Sequence, residues 1–165
     1  MPHPFVHLHV HSHYSLRDSI NKVPELVERA AALQMPAVAL TDHGVMFGVV
    51  EFYEKAVETG IKPIIGMEAY VAPGDRRDKS SSSIADASYH LTILAADNDG
   101  YKNLMHLATA ANVEGFYYRP RIDRQILAEC SNGLIGLSGC LSGEAATRVL
   151  SGNINGAREN LATYS

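Results

Sequence analysis

The run His7-Leu8-His9-Val10-His11 puts an imidazole at every second position of one short segment. In an extended chain, residues two apart share a face. Phe5, His7, His9 and His11 then line one side, and Val6, Leu8 and Val10 form an apolar side that can pack on helices. Two imidazoles so spaced can converge on one ion with nitrogen–metal bonds of about 2.0–2.1 Å. Taken alone, an edge strand with solvated histidines explains the pattern equally well. Other positions tip the balance. Thr41-Asp42-His43-Gly44 closes a β-type run in which alternation turns His43 to the face of Thr41 and Asp42 to the opposite face. His43 is therefore the candidate ligand, and Asp42 orients a ligand or caps the next helix. Glu68 closes another run and shares its face with the small Gly66. Gly136, Ser138 and Cys140 share a face that leaves room for something other than side chains. His90 opens a run rather than closing one, so it fits an end-of-strand site less well. Asp18 lies in the loop after the first run.

Each of these residues has an ordinary explanation. Cys140 alone is a small buried hydrophobe, Glu68 a capping or ion-paired acid, and His90 a hydrogen-bonded core histidine. His3, His7, His13 and His106 keep such explanations, although His7 and His13 lie close enough to support a ligand. Metal-capable residues at successive strand ends are harder to explain that way. Nitrogen and oxygen donors with one thiolate suit Zn²⁺, Mn²⁺ or Fe²⁺ better than Ca²⁺. The candidate ligands are His9, His11, Asp18, His43, Glu68, His90 and Cys140, with Asp42 behind them. Metal-centred chemistry needs no separate protein base, because coordination lowers the pKa of water by itself. A basic and aromatic stretch, Tyr117-Tyr118-Arg119-Pro120-Arg121, is expected to border the site. There Arg119 and Arg121 would meet phosphates and Tyr117 or Tyr118 would stack on a base. A structural loop with its tyrosines packed on the sheet is an equal alternative.

The elements that must position these groups alternate along the chain. Strand-like runs span Phe5–Ser12, Ala37–His43, Pro63–Ala72, His90–Ala96 and Leu134–Cys140. Helical spacing spans Val23–Leu33, Met46–Thr59 and Asp99–Ala111, and resumes from Gly143 with a break around Gly152–Asn155. Asp75–Ser88, with serines from Ser80 to Ser83, reads as an exposed, mobile loop. With no hairpin signal, this order predicts an α/β fold: about five parallel βα units in a doubly wound sheet or a βα-barrel. Either architecture places its site at the C-terminal strand ends. No GxGxxG and no GxxxxGK[ST] is present, which excludes the usual dinucleotide and P-loop chemistries. Ser165 falls inside a helical pattern, so truncation of a longer domain is the expectation.

Bulk properties narrow the class. The chain has 165 residues, a hydrophobic fraction of 46% and a charged fraction of 19%, which suits one globular domain. A net charge of −4 argues against gripping nucleic acid by bulk electrostatics, though not against a local basic groove. The two cysteines, Cys130 and Cys140, form no CxxC, so reduced thiols in a cytoplasm are expected. No run is apolar enough for a membrane span, and Met1–Ser15 lacks the layout of a signal peptide.

At these residues the chain resembles the PHP (polymerase and histidinol phosphatase) superfamily. More closely, it is similar to the N-terminal PHP region of the bacterial C-family replicative DNA polymerases, the DNA polymerase III alpha type. The match is carried by Phe5-Val6-His7-Leu8-His9-Val10-His11-Ser12 with Tyr14-Ser15-Leu16, then Ala39-Leu40-Thr41-Asp42-His43-Gly44. Gly60-Ile61-Lys62-Pro63-Ile64-Ile65-Gly66, Gly100-Tyr101-Lys102-Asn103-Leu104, Glu114-Gly115-Phe116-Tyr117, Pro120-Arg121-Ile122-Asp123 and Leu137-Ser138-Gly139-Cys140 continue it. A lone HxH is weak; this ordered set covers nearly the whole chain and is specific. The resemblance implies a distorted (β/α)7 barrel holding two to three divalent metals, Zn, Mn, Fe or Mg. His9 and His11 match ligands of a first metal, and Glu68 the carboxylate bridging it to a second. His90 and Cys140 match further ligands of the second, and Asp18 and His43 ligands of a third. The family has one more Asp and His, two residues apart, later in the domain. Neither residue type follows Cys140 here, which agrees with truncation before the last strands. His13 stands where the family often has an acid.

The resemblance also implies biology. The parent would be a DNA-directed DNA polymerase, a nucleotidyltransferase of DNA replication, acting on primer-template DNA. Its partners would be replisome subunits such as a sliding clamp and an exonuclease subunit. No polymerase carboxylates are in this chain. The PHP site would be a hydrolase, a metal-dependent 3′–5′ exonuclease of the proofreading type, with this piece alone inactive. The alternatives are a non-catalytic scaffold that docks other replisome subunits, or a stand-alone PHP phosphatase. Scaffold versions have lost ligand positions, whereas all seven matched here are metal-capable. The polymerase-like stretches at 100–104 and 115–121 weigh against the stand-alone phosphatase.

Overall fold

In chain order the elements are α1 (Val23–Ala32), β1 (Ala37–Leu40), α2 (Val49–Thr59), β2 (Lys62–Val71), β3 (Tyr89–Ala95), α3 (Asn98–Val113), β4 (Arg121–Ile122), α4 (Arg124–Glu129), β5 (Leu134–Leu137), α5 (Glu144–Leu150) and α6 (Ile154–Ala162). They are seen in a computed structural model that describes residues 5–83 and 87–164. His3 and residues 84–86 of the predicted Asp75–Ser88 loop lie outside the described residues. Local chemistry sets the helix ends. α1 carries a proline in its first turn. α2 closes on Gly60 at φ 77°, a left-handed position that glycine takes without strain. Asp97 and Asp123 open α3 and α4 by accepting from the N–H groups of Gly100 (2.8 Å) and Ile126 (3.0 Å).

The strands lie in the order β1-β2-β3-β5, with β4 beside the end of β2. β1 and β4 run parallel to β2, while β3 runs antiparallel to both β2 and β5. The α/β class holds, and the mixed sheet is consistent with part of a distorted (β/α) barrel. The expectation of five parallel units does not hold. A parallel return needs a crossover, usually a helix. The polar stretch after β2 has no such apolar periodicity, so the chain comes straight back and Val71 pairs with Tyr89. The first residues of that stretch are also fastened rather than loose. The Arg76 guanidinium donates to Glu114 (2.6 Å) and Asp123 (2.9 Å), and Arg121 donates to the carbonyls of Arg76 and Asp78.

A second correction concerns the first segment. Phe5–Ser12 is not a strand; it makes one parallel bridge, His7 to Val38. The N–H groups of Ala39 and Thr41 still donate to the His7 and Val10 carbonyls (2.9 and 2.8 Å), but N–H groups of the segment itself go to side chains. The Val10 N–H donates to Thr41 Oγ1 (2.9 Å) and the Ser12 N–H to Asp42 Oδ1 (2.7 Å).

Alternation along β2 divides the molecule. Met67, Ala69 and Val71 join Leu91, Ile93, Leu104, Leu107 and Ala110 in one apolar cluster, beneath α3. Val38 and Leu40 of β1 join Val23, Val27, Phe52 and Ala56 in a second, beneath α1 and α2. Gly66, Glu68 and Tyr70 take the other face, and their partners across the antiparallel ladder are Leu94, Thr92 and His90. Because β3 is reversed, its first residues lie beside the C-terminal end of β2. His90, which opens its strand, therefore reaches the same end of the sheet as Glu68.

Candidate metal centre

Glu68 is the hub. Its side chain is 1% exposed, and four imidazole nitrogens surround its carboxylate. His9 Nε2 and His11 Nε2 each lie 3.1 Å from Oε2, and His43 Nδ1 lies 3.0 Å from the same oxygen. His90 Nδ1 lies 2.9 Å from Oε1. Burial alone would raise the Glu68 pKa; hydrogen bonding with His11, His43, His9 and His90 outweighs it and holds the carboxyl far below the usual range. The hydrogen bond to Glu68 likewise raises the pKa of His9 against the effect of burial.

The remaining predicted residues stand around this hub. His43 Nε2 is 3.1 Å from Asp18 Oδ2, so His43 spans Asp18 and Glu68. Cys140 is exposed, with Sγ 3.5 Å from His90 Nδ1. Asp42 is 2% exposed and touches none of these imidazoles. It accepts from the Ser12 N–H (2.7 Å), the Ser12 hydroxyl (2.7 Å) and the Ser15 hydroxyl (2.6 Å). It does not cap α2, whose N-cap is Gly48. His7 and His13 stay outside, His7 against Phe5 and His13 near the Asn21 carbonyl.

Two residues of the aromatic stretch behave differently from each other. Arg121 is 1% exposed, so it meets no phosphate, and the DNA-contact expectation for it fails. Its guanidinium donates to the carbonyls of Gly115 (3.1 Å), Ala87 (3.2 Å), Arg76 (2.9 Å) and Asp78 (2.6 Å). Arg119 does border the site. Its guanidinium sits 4.7 Å from the ring centre of Tyr70, and Tyr70 stacks on His43 at 5.6 Å and 11°. Tyr117 donates to the Ser81 carbonyl (2.8 Å) and packs on Tyr118, which is half exposed. Tyr70, Ser12 and Ser15 were not singled out in the sequence. Tyr70 was legible from alternation, since it follows Glu68 by two.

The donor set fits divalent metal. Two nitrogens bonded to one ion at about 2.0–2.1 Å cannot lie more than roughly 4.2 Å apart. His9 Nε2 and His11 Nε2 are 3.1 Å apart. That separation is within the span that two nitrogens on one ion can have. Among the described residues, the ligand atoms fall into two groups that share Glu68: His9, His11 and Glu68, and His43, Glu68 and His90. Thr92 Oγ1, across the ladder from Glu68, is a buried polar atom without a hydrogen-bond partner among the described residues. A cavity of about 760 Å³ lies towards the opposite end of β2, lined by Leu8, Tyr53, Ile64, Ile135 and Leu137. It is mostly apolar and holds none of the ligand groups.

Residues 7–165 match the PHP domain family. The chain is 48% identical over 160 residues to a protein named DNA polymerase III subunit alpha from Treponema pallidum, covering 97% of this chain and 14% of that protein. It is also 48% identical over 160 residues to one of the same name from Thermus aquaticus, covering 95% of this chain and 13% of that protein. The chain thus spans about one seventh of these relatives. An amidohydrolase structure from Chromobacterium violaceum overlaps 64% of this chain and 32% of its own, at 26% identity and TM-score 0.47.

Proposed function

The chain belongs to the PHP domain family, and on that premise we propose that its site is a multi-metal phosphoesterase centre acting on DNA 3′ ends, within a replicative DNA polymerase. The observation that carries this is the convergence of four imidazoles on the buried carboxylate of Glu68. The relatives' name supports the polymerase context. Primer-template DNA, a sliding clamp and an exonuclease subunit as partners, in a cytoplasm, belong to the same proposal. Among the described residues no helix is long and apolar enough to cross a membrane.

His9, His11 and Glu68 would hold one divalent ion, and His90, Glu68 and Cys140 a second. His43 and Asp18 would hold a third. Bound Zn²⁺, Mn²⁺, Fe²⁺ or Mg²⁺ supplies Lewis-acid stabilisation of phosphate charge and a lowered pKa for water. The chain's own residues do the rest. Glu68 supplies the negative charge that lets two cations sit close together. Asp42 ties Ser12 and Ser15 to the end of β1 and so fixes the turn after His11. Arg119, held on Tyr70, offers a fixed cation to a DNA phosphate beside the site, and Tyr118 an exposed ring for a base. No protein base is needed. Because the family's later Asp and His have no match here, the 165 residues alone are a weak catalyst, and the activity belongs to the full-length protein.

The test is release of nucleotides from end-labelled DNA by full-length protein, with and without added metal. His11→Ala and Glu68→Ala should abolish release and leave polymerisation intact. Full release by Glu68→Ala would refute the catalytic reading. Absence of release in a metal-loaded wild type would leave a scaffold.

A further inference from the structure

Thr92 stands directly across the β2–β3 ladder from Glu68 and across the β3–β5 ladder from Leu137. Residues directly opposite share a face, with Cβ atoms about 4.5–5.5 Å apart. The Thr92 side chain therefore lies on the face that carries the imidazole cluster. It is 0% exposed, and its Oγ1 has no hydrogen-bond partner among the described residues. An unpaired hydroxyl buried so deeply costs stability. Its other neighbours on this face are Leu94 and His90, two residues away along the same strand. The leucines offer no polar atom. His90 turns Nδ1 to Glu68 Oε1 (2.9 Å) and Cys140 Sγ (3.5 Å). A trapped water needs several polar partners, and the leucines on two sides supply none. Glu68 is the acceptor opposite. Its carboxylate has about four lone-pair sites. Four imidazole nitrogens already crowd them, those of His9, His11 and His43 at Oε2 and that of His90 at Oε1, which leaves the hydroxyl out.

We propose that Thr92 is a positioning residue: when the imidazoles turn from Glu68 to metal, its hydroxyl donates to a Glu68 oxygen and fixes the carboxylate's orientation. A nitrogen bound to an ion no longer serves Glu68, so loading frees sites on the carboxylate. One χ1 rotation between staggered positions re-aims the hydroxyl. The bond pairs a donor that has no partner in the stripped chain, so loading the site and satisfying Thr92 are linked. The orphaned hydroxyl stands on geometry alone; its use rests on the metal centre proposed above.

Thermal unfolding of the metal-stripped chain, paired with Zn²⁺ titration calorimetry, tests this. Thr92→Val keeps the shape and removes the hydroxyl. It should raise the Tm of the stripped chain by roughly 2–10 °C, because an unpaired buried group is gone. It should also weaken Zn²⁺ binding by about 10–100-fold, the usual effect of losing a group that orients a metal ligand. A residue that only packs would not gain stability and lose affinity together. Thr92→Ser keeps the hydroxyl and loses a methyl, and should lower Tm while binding Zn²⁺ as tightly as wild type. A Thr92→Val chain with a lower stripped Tm would overturn the proposal, since its hydroxyl then had a partner already. A crystal structure of the wild type with Zn²⁺ checks the idea without any variant. Thr92 Oγ1 should lie about 2.5–3.0 Å from a Glu68 oxygen, and an Oγ1 bonded elsewhere would refute the assignment. A wild type that binds no Zn²⁺ would remove the metal centre and this proposal together. Tight wild-type binding matched by Thr92→Val would remove this proposal alone.

Discussion

Arg121→Ala should unfold the chain at much lower temperature without acting on DNA binding directly. The side chain is 1% exposed, and its four acceptors lie 2.6–3.2 Å away on Gly115, Ala87, Arg76 and Asp78. A hydrogen bond to a charged group contributes about 1.5–3 kcal/mol, so simple addition gives roughly 6–12 kcal/mol. That sum is too large. Burial pulls the guanidinium's pKa down, a sign that holding the cation there is itself costly, and truncation removes that cost. Truncation also leaves carbonyls that water can partly reach. A net loss of about 3–5 kcal/mol is the expectation, at the top of the range for single substitutions. For a chain of this size that lowers Tm by roughly 6–20 °C. Arg121→Lys should recover little of it, because a point ammonium cannot serve four carbonyls in a fork geometry. Differential scanning calorimetry on the two variants is the assay. A loss under about 1 kcal/mol would refute the clamp and return Arg121 to the list of DNA contacts.

Arg119→Ala, by contrast, should leave Tm within about 1–2 °C and weaken DNA binding by the full-length protein, with a salt slope smaller by about 1, read by fluorescence anisotropy. Gly66→Ala should cost roughly 1–3 kcal/mol in chemical denaturation, because a Cβ there would lie 2.6 Å from both the Ile93 carbonyl oxygen and Leu94 Cδ2. The Asp123 carboxyl is buried, which raises its pKa, but N–H groups of Ile126 and Arg76 and the Arg76 guanidinium bring the net shift below its ordinary value. Its contribution is therefore present above the unfolded pKa of about 3.9 and lost as pH falls through the lower folded value. Stability should fall below about pH 4 in urea titrations, and Asp123→Asn should flatten that limb.

Much of this was legible in the residues. Alternation placed Glu68 with Gly66 and turned His43 away from Asp42, and the structure has both relations. The direction of β3 was not legible, because a period of two reads the same from either end of a strand. That is why His90 looked misplaced at the start of its run. The histidine alternation of the first segment also misled. It has a strand's period, but Thr41 Oγ1 and Asp42 Oδ1 take N–H groups that a ladder would use. β4 is two residues long, too short for any periodic signal. Arg121 was read as a surface cation because arginines are mostly exposed. Only the fold shows that four carbonyls meet behind it.

The central claim is that Glu68 and its imidazoles hold metal, and Zn²⁺ or Mn²⁺ titration of the stripped chain by calorimetry tests it most directly. Wild type should bind at least about one ion per chain through the His9–His11–Glu68 group. Glu68→Gln keeps the shape and removes the charge, and should weaken binding by more than about 100-fold, beyond what loss of an orienting residue produces. A wild-type chain that binds no ion, or a Glu68→Gln chain that binds as tightly as wild type, would contradict the account.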